Sequence, residues 1–403
     1  MSFALTAVSV LSLTVFLIAA VGYALGRITV KGVSLGTAGV FIVALLFGAF
    51  FPNFVSDALT VKNGEEVVSY GSQALKIVEN LGLIFFVTAV GFIAGPNFFK
   101  NFKKNYKSYV LLGAVVILVG GLSCIACYFV GRGFEGDNGE FVAMLVGLLS
   151  GSLTSTPAFS AAKETVQPVY ESAVTVGHGI AYLFGVVGVV LFVQLIPKMA
   201  KANMEEERKK ITIVDTGAKK KYEGKLLSFD RFGFMPFAVA AVLGILLGSV
   251  KFFNFFSLTT TGGTLIVSLL MGHFGHFGPV NVTPDKKTLE VFRELGLMIF
   301  LIGAGVSGGI SFVKYFKAIY FVYGVIMTVL PMIVGYLFAK YVLKLSLLNN
   351  LGSITGGMTS TPALGTLINV SGTDDVASAY AATYPVALIA VVLISQLIIT
   401  VFS

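Results

Sequence analysis

The feature that constrains this chain first is a set of long runs without acidic or basic residues. They occupy residues 1–26, 108–131, 172–197, 232–250 and 376–403. Of the 403 residues 56% are apolar and 12% are charged, whereas soluble domains carry about 25% charged residues. Because an α-helix rises about 1.5 Å per residue, these runs cross, or nearly cross, a hydrocarbon core of about 30 Å. The pattern predicts an all-α polytopic membrane protein.

The first run is predicted to be a retained membrane span at residues 3–25. A cleaved secretory signal carries its positive charge ahead of the apolar run. Here the first cations, Arg27 and Lys31, follow the run. We therefore expect the N-terminus to lie outside and these cations to lie on the cytoplasmic side.

The sequence repeats itself across its two halves. Residues 147–164 read GLLSGSLTSTPAFSAAKE and residues 352–369 read GSITGGMTSTPALGTLIN, so both contain T-S-T-P-A. In the same order, the segment starting Asn80-Leu-Gly-Leu matches the segment starting Glu294-Leu-Gly-Leu. Collinear matches of this kind predict an internal duplication.

The duplication divides the chain into three parts. We predict a first transmembrane repeat at 1–200, a basic cytoplasmic linker at 201–231 and a second transmembrane repeat at 232–403. Lys219, Lys220 and Lys221 give the linker a basic cluster that either binds a partner or anionic lipid or is a solvated loop.

Five crossings are predicted in each half. They lie at 3–25, 33–51, 80–96, 108–130, 172–197, 232–250, 261–278, 292–310, 318–341 and 375–402. Because five is odd, the two repeats should be inverted relative to each other, with both termini outside. If the T-S-T-P segments re-enter without crossing, 21 Lys and Arg lie inside and 7 outside, in agreement with the positive-inside rule.

Each T-S-T-P segment predicts a break between two half-helices. Proline suits the first helical position, so helices should begin at Pro157 and Pro362, capped by Thr156 and Thr361. Two such arms form a re-entrant hairpin, and free N–H groups at a helix start bind anions. The alternative is a proline kink in an ordinary helix.

The predicted binding site consists of the tips of the two hairpins. Its residues are Gly151, Thr154, Ser155, Thr156, Pro157, Gly357, Thr359, Ser360, Thr361 and Pro362. The twenty Asp and Glu lie in loops or near predicted span ends, which speaks against a cation exchanger and favours an anion or zwitterion.

Several other polar residues lie within apolar spans. His178 either binds substrate or senses protonation, or it is a packed, hydrogen-bonded residue. Gln194 and Gln396 recur in the two halves, either as site residues or as hydrogen bonds between helices. Cys124 and Cys127 are interpreted as packing residues one helical turn apart. We predict no metal, no cofactor, no nucleic-acid partner and no enzymatic activity.

Taken together, these motifs resemble the aspartate–alanine exchanger family of bacterial antiporters. The resemblance rests on Gly151-Ser-Leu-Thr-Ser-Thr-Pro-Ala and Gly357-Met-Thr-Ser-Thr-Pro-Ala, with support from Arg293-Glu-Leu-Gly-Leu and Ala382-Thr-Tyr-Pro. The last motif makes Tyr384, and Tyr182 in its degenerate counterpart, candidate site residues. Larger members carry TrkA C-terminal-type domains between the halves, and this chain has only the 201–231 linker there.

Movement of a hairpin-bearing bundle against a more static bundle would make this an elevator-like transporter. The resemblance implies exchange across a bacterial inner membrane by a homodimer surrounded by membrane lipid. Its substrates would be small carboxylates, either amino acids such as aspartate and alanine or dicarboxylates such as succinate. An anion-selective channel or uniporter with the same re-entrant tips is the alternative.

Overall fold

The computed structural model describes residues 7–30, 33–34, 36–63, 66–104, 106–211, 226–252, 256–257, 259–373 and 375–403. Within these ranges the chain forms sixteen α-helices and four short antiparallel strand pairs. Lys219, Lys220 and Lys221 of the linker lie outside the described residues.

Eight helices belong to the first half of the chain. They are α1 (Ala7–Gly26), α2 (Ala38–Phe50), α3 (Phe54–Ala58), α4 (Gly71–Lys104), α5 (Leu111–Gly131), α6 (Asn138–Ser152), α7 (Thr156–Thr165) and α8 (Glu171–Met199). A π-helical turn, Tyr106–Val110, precedes α5, and a 3-10 turn, Pro168–Tyr170, precedes α8.

The described part of the linker contains one short helix, and the described part of the second half contains seven. These are α9 (Met204–Lys209), then α10 (Phe234–Gly248), α11 (Thr259–Phe274), α12 (Lys286–Tyr315), α13 (Ile319–Leu337), α14 (Leu347–Gly357), α15 (Thr361–Ser371) and α16 (Val376–Phe402). A π-helical turn, Phe338–Val342, extends α13.

The strand pairs are short hairpins between helices. They are β1 (Thr29–Val30) with β2 (Val33–Ser34), β3 (Thr60–Asn63) with β4 (Glu66–Ser69), β5 (Lys251–Phe252) with β6 (Phe256–Ser257), and β7 (His276–Phe277) with β8 (Val280–Asn281). One pair follows α1 and another follows α10, while the other two precede α4 and α12.

Seven helices in the described part of the chain are long and apolar enough to cross a membrane. This confirms the all-α polytopic class. The remaining three predicted spans fall on α2, α10 and α11, which have 13, 15 and 16 residues. At about 1.5 Å per residue these helices are shorter than a hydrocarbon core of about 30 Å. The ten crossings therefore stay a prediction.

The helices occur in the same order and make matching contacts in the two halves. α2 packs against α12, and α11 packs against α4. In the same way α8 packs against α13 and α15, while α16 packs against α5 and α7. The inversion of the repeats in a membrane and the boundaries 1–200, 201–231 and 232–403 stay predictions.

These contacts sort the long helices into two groups. The flanking bundle contains α1, α2, α4, α10, α11 and α12. The tip bundle contains α5–α8 and α13–α16, and includes both T-S-T-P segments. Most of the largest hydrophobic cluster lies in the tip bundle, where every residue from 141 to 152 of α6 and from 348 to 357 of α14 is buried.

The flanking bundle is organised around a close approach of α4 and α12. A Cβ atom added to Gly82 would lie 2.3 Å from the backbone nitrogen of Phe300, and one added to Gly296 would lie 2.4 Å from that of Phe86. Both glycines belong to the matched Leu-Gly-Leu motifs. Each repeat thus supplies the glycine that lets the other repeat's helix approach.

The described part of the linker attaches to the tip bundle. α9 packs against α14, and the Nε atom of Arg208 donates to the carbonyl of Ser371 at 2.5 Å. Ser371 is the last residue of α15, so the guanidinium satisfies a carbonyl at a helix C-terminus.

Candidate functional site

Each T-S-T-P segment forms the tip of a helical hairpin. In the first hairpin, the hydroxyl of Tyr170, just beyond α7, donates to the carboxylate of Asp137, just before α6, at 3.0 Å. In the second, Leu348 near the start of α14 and Leu367 in α15 share one hydrophobic cluster. The first hairpin therefore returns to the end where it started. Re-entry of either hairpin into a membrane stays a prediction.

The two tips have the same unusual backbone conformation. Thr154 has φ of 51° and Thr359 has φ of 50°, in the left-handed region that β-branched residues avoid. The following residues, Ser155 and Ser360, donate their N–H groups to carbonyls five positions back at 2.8 and 2.9 Å. This is the bonding of a Schellman helix end, where glycine is the usual left-handed residue. Threonine at both places indicates that its side chain is needed.

The two threonines join the tips to each other. The Thr154 hydroxyl donates to the carbonyl of Met358 at 2.9 Å. The Thr359 hydroxyl donates to the carbonyl of Leu153 at 2.8 Å. These reciprocal bonds explain why residues with a strained backbone are used here, since glycine offers no hydroxyl.

The predicted helix starts were wrong by one residue. α7 begins at Thr156 and is capped by Ser155, whose hydroxyl accepts from the N–H of Ala158 at 3.3 Å. α15 begins at Thr361 and follows Ser360. The reason is that the helix reversal ends at the left-handed threonine, so the extended capping conformation falls on the serine directly after it.

A cavity of about 830 Å³ lies between the tip bundle and the flanking bundle. Thr154, Thr156, Pro157, Thr359 and Pro362 line it from the tips. Both helix starts thus reach one cavity, where their N–H groups and positive dipole ends favour a negative charge. Ala20, Tyr23 and Ala24 of α1 and Phe86 and Val90 of α4 line it from the other side.

Three charged side chains also line this cavity: Arg27, Arg293 and Glu294. The Nη2 atom of Arg293 donates to Oε1 of Glu294 at 2.8 Å. The sequence puts Glu294 near a predicted span end with the other acidic residues, whereas in the structure it lines the same cavity as the tips. The reason is that α12 begins at Lys286, so residues 293 and 294 lie two turns inside the helix and face the space between the bundles.

Among the described side chains at the tips, those of Ser155 and Ser360, like Gly151 and Gly357, are not part of the cavity lining. Gly151 packs against α8, since a Cβ atom there would lie 2.5 Å from the carbonyl of His178. A Cβ atom added to Gly357 would lie 3.2 Å from the side chain of Val116 in α5. Ser155 and Ser360 are buried. The side chain of Thr361 is outside the described part.

His178 lies behind the first tip, fully buried. Its Nδ1 atom is 2.9 Å from the Ser150 hydroxyl, and its ring stacks on Phe159 with centroids 4.2 Å apart. It is not among the residues that line the cavity. The geometry therefore favours the interpretation of His178 as a packed residue that positions α7.

The other candidates separate into two groups. Tyr182 and Tyr384 occupy matching helices, α8 and α16, and both line the cavity. Gln194 lines a different cavity beside the linker, and the amide of Gln396 donates to the hydroxyl of Thr259 at 3.4 Å. The glutamines therefore lie away from the tips, and Gln396 connects the two bundles.

The residues that the sequence prediction missed are Arg27, Arg293 and Glu294. Arg293 and Glu294 stand at the start of a duplicated motif, where the first repeat has Glu79 and Asn80. Their position at the start of a duplicated motif, just inside an apolar run, was the signal for these two residues. Among the described residues no group of three or more His, Cys, Asp or Glu is placed to hold a metal ion. The cavity thus combines two helix starts with two arginine side chains and one carboxylate.

One family profile matches the chain in two places. It is described as "Predicted Permease Membrane Region" of the Asp-Al_Ex family, and it matches residues 14–198 and again residues 236–400. The two matches include both hairpins and leave the linker between them.

Two relatives are similar to this chain over most of their length, and a third is similar over part of it. An uncharacterized transporter of Bacteroides thetaiotaomicron is 25% identical over 546 residues, covering 96% of this chain and 97% of the relative. One of Bacteroides fragilis is 26% identical over 550 residues, covering 96% and 98%. A third, of Geobacter sulfurreducens, is 32% identical over 215 residues, covering 51% of this chain and 35% of the relative.

Proposed function

This chain belongs to the aspartate–alanine exchanger family of membrane permeases, and we propose that it is a secondary active transporter exchanging small carboxylate solutes by alternating access. The observation that carries the proposal is the cavity between the bundles, in which both hairpin tips face Arg293 and Glu294. Helix starts at the interface of two repeats are a common substrate site in transporters.

The charges in the cavity favour amino acids over dicarboxylates as substrates. Arg27 and Arg293, with the two helix starts, attract carboxylates. Glu294 offers a counter-charge for an ammonium group. We therefore propose amino acids such as aspartate and alanine as substrates ahead of dicarboxylates such as succinate.

The division into two bundles supports an elevator-like motion of inverted repeats. Thr154 and Thr359 hold the tips together inside the tip bundle, so both tips can move as one body against the flanking bundle. An anion channel needs a continuous path instead, whereas a uniporter would also use alternating access. Buried contacts between the bundles beyond the tips favour alternating access over a channel.

The proposal also includes the membrane in which the protein lies, its orientation and its oligomeric state. We place it in a bacterial inner membrane, surrounded by lipid, as a homodimer with both termini outside. In this orientation Arg27 and Arg293 lie toward the cytoplasm, and the cavity faces inward.

Counterflow in proteoliposomes tests the transport function. Vesicles loaded with aspartate, alanine or succinate should take up labelled aspartate, and empty vesicles should not. Arg293→Gln should lower uptake about tenfold or more, because a hydrogen bond to a charged group contributes about 1.5–3 kcal/mol. Lys286→Gln, an exposed residue on the same helix, should transport like the original protein.

Glu294→Gln separates the two substrate classes. We expect this variant to lose uptake of amino acids and to keep uptake of succinate, because only an ammonium group requires the carboxylate. Equal loss of uptake for amino acids and for succinate would contradict the role assigned to Glu294. Uptake that proceeds without a trans-side solute would favour the channel or uniporter.

A further inference from the structure

A second cluster of charged side chains lies apart from the cavity at the tips. It consists of Lys76 and Glu79 on α4, Lys163 and Glu164 on α7, and Glu171 at the start of α8. These residues line two neighbouring cavities of about 480 and 340 Å³. The proposed substrate site makes no use of them.

The central contact of this cluster is a buried ion pair between the bundles. The Nζ atom of Lys163 lies 2.6 Å from Oε1 of Glu79, and both side chains are 5% exposed. Lys163 is on α7, seven residues after Thr156 at the first tip, whereas Glu79 is in the flanking bundle. The pair therefore fixes the first hairpin to the opposite bundle.

Two more polar contacts cross the same boundary. Lys76 of α4 forms an ion pair with Glu171 of α8. The carboxylate of Glu164 accepts from the N–H of Thr261 in α11 at 3.1 Å. Three polar contacts thus join two helices of the flanking bundle, α4 and α11, to two helices of the tip bundle, α7 and α8.

The matching end of the second repeat is built differently. The motif register pairs Glu79 with Arg293, and Arg293 bonds to Glu294 of its own helix. The position that corresponds to Lys163 is Ile368, which has no charge to offer. At the end of α7, the two bundles are therefore joined by the Lys163–Glu79 ion pair. At the matching end of the second repeat, an open cavity lies between the bundles.

We propose that the Lys163–Glu79 pair is a latch that closes the pathway at the α7 end while the cavity at the tips is open. The proposal rests on the proposed function, in which the bundles move relative to each other. A contact made in one state only shifts the equilibrium toward that state. Transport then requires the latch to break, and the small cavities around it become the opposite entrance.

Thiol labelling in nanodiscs tests the latch, because both ends of the protein are then exposed to reagent and no substrate is needed. In a background lacking Cys124 and Cys127, one reporter is Ser160→Cys beside the latch and the other is Ala24→Cys in the cavity at the tips. Each reporter is combined with Glu79→Gln plus Lys163→Met. The double variant leaves no unpaired buried charge, which protects the fold.

If the latch exists, the double variant raises the labelling rate at Ser160→Cys several-fold and lowers it at Ala24→Cys. A rate that rises at both reporters indicates general loosening and overturns the proposal, as does a rate that changes at neither. The control is Glu290→Gln, which removes an exposed ion pair within α12 and should alter neither rate.

The outcome is distinguishable from a failure of the proposed function. Opposite changes in labelling support the latch even if counterflow finds no carboxylate substrate. Unchanged labelling in a protein that exchanges carboxylates removes the latch alone.

Discussion

At the scale of single residues, the tips show how a strained backbone is retained for its side chain. A left-handed β-branched residue costs on the order of 1–3 kcal/mol. Thr154 and Thr359 both adopt this conformation, and each hydroxyl bonds to a backbone carbonyl of the other tip. Because the same strained conformation occurs at matching positions in both repeats, chance does not explain it.

Substitution of these threonines separates strain from function. Thr154→Gly should raise thermal stability or leave it unchanged, because glycine accepts positive φ, yet lower the exchange rate by about tenfold as the bond between the tips is lost. Thr154→Ser keeps the hydroxyl and should exchange at close to the original rate. The measurements are thermal unfolding of purified protein and counterflow. Full exchange in the glycine variant would contradict the role given to the hydroxyl.

At the scale of helices, glycine decides how closely elements pack. α4 and α12 approach each other at Gly82 and Gly296, where a Cβ atom would overlap the facing backbone. Backbone atoms cannot move aside as a side chain can, so larger residues must separate the helices.

Gly296→Val should therefore destabilise the flanking bundle by about 1–3 kcal/mol or more. The matched control is Gly365→Ala in α15, where nothing lies within 4 Å of an added Cβ atom. That variant should be neutral or stabilising by up to about 1 kcal/mol, because alanine favours helix. Thermal unfolding in detergent measures both. Equal melting temperatures for the two variants would argue against the close approach.

At the scale of the whole molecule, the proposed exchange requires motion between two bundles whose interiors stay intact. A bridge between the bundles should stop exchange, and a bridge within the tip bundle should not. Glu164→Cys with Thr261→Cys spans the boundary, since the Glu164 carboxylate lies 3.1 Å from the Thr261 nitrogen. Asp137→Cys with Tyr170→Cys joins the two ends of one hairpin.

Both pairs are treated with a short bismaleimide in a background lacking Cys124 and Cys127, and counterflow is measured before and after. We expect bridging of positions 164 and 261 to abolish exchange and bridging of 137 and 170 to leave most of it. Continued exchange with the first bridge in place would rule out motion at this boundary.

The sequence by itself determined the membrane class, the long helices and the two hairpin tips. These depend on local properties: apolar run length, proline and glycine positions, and duplicated T-S-T-P segments. The family resemblance from the same motifs agrees with the family profile that matches residues 14–198 and 236–400.

Only the tertiary structure decided which polar residues share a cavity. Arg293 and Glu294 begin a predicted span, and they share a cavity with the tips because α12 packs against α8 of the tip bundle. Glu79 and Lys163 are 84 residues apart in sequence and form one buried pair. Periodicity and local propensity describe one helix at a time, whereas these contacts depend on how helices distant in sequence pack against each other.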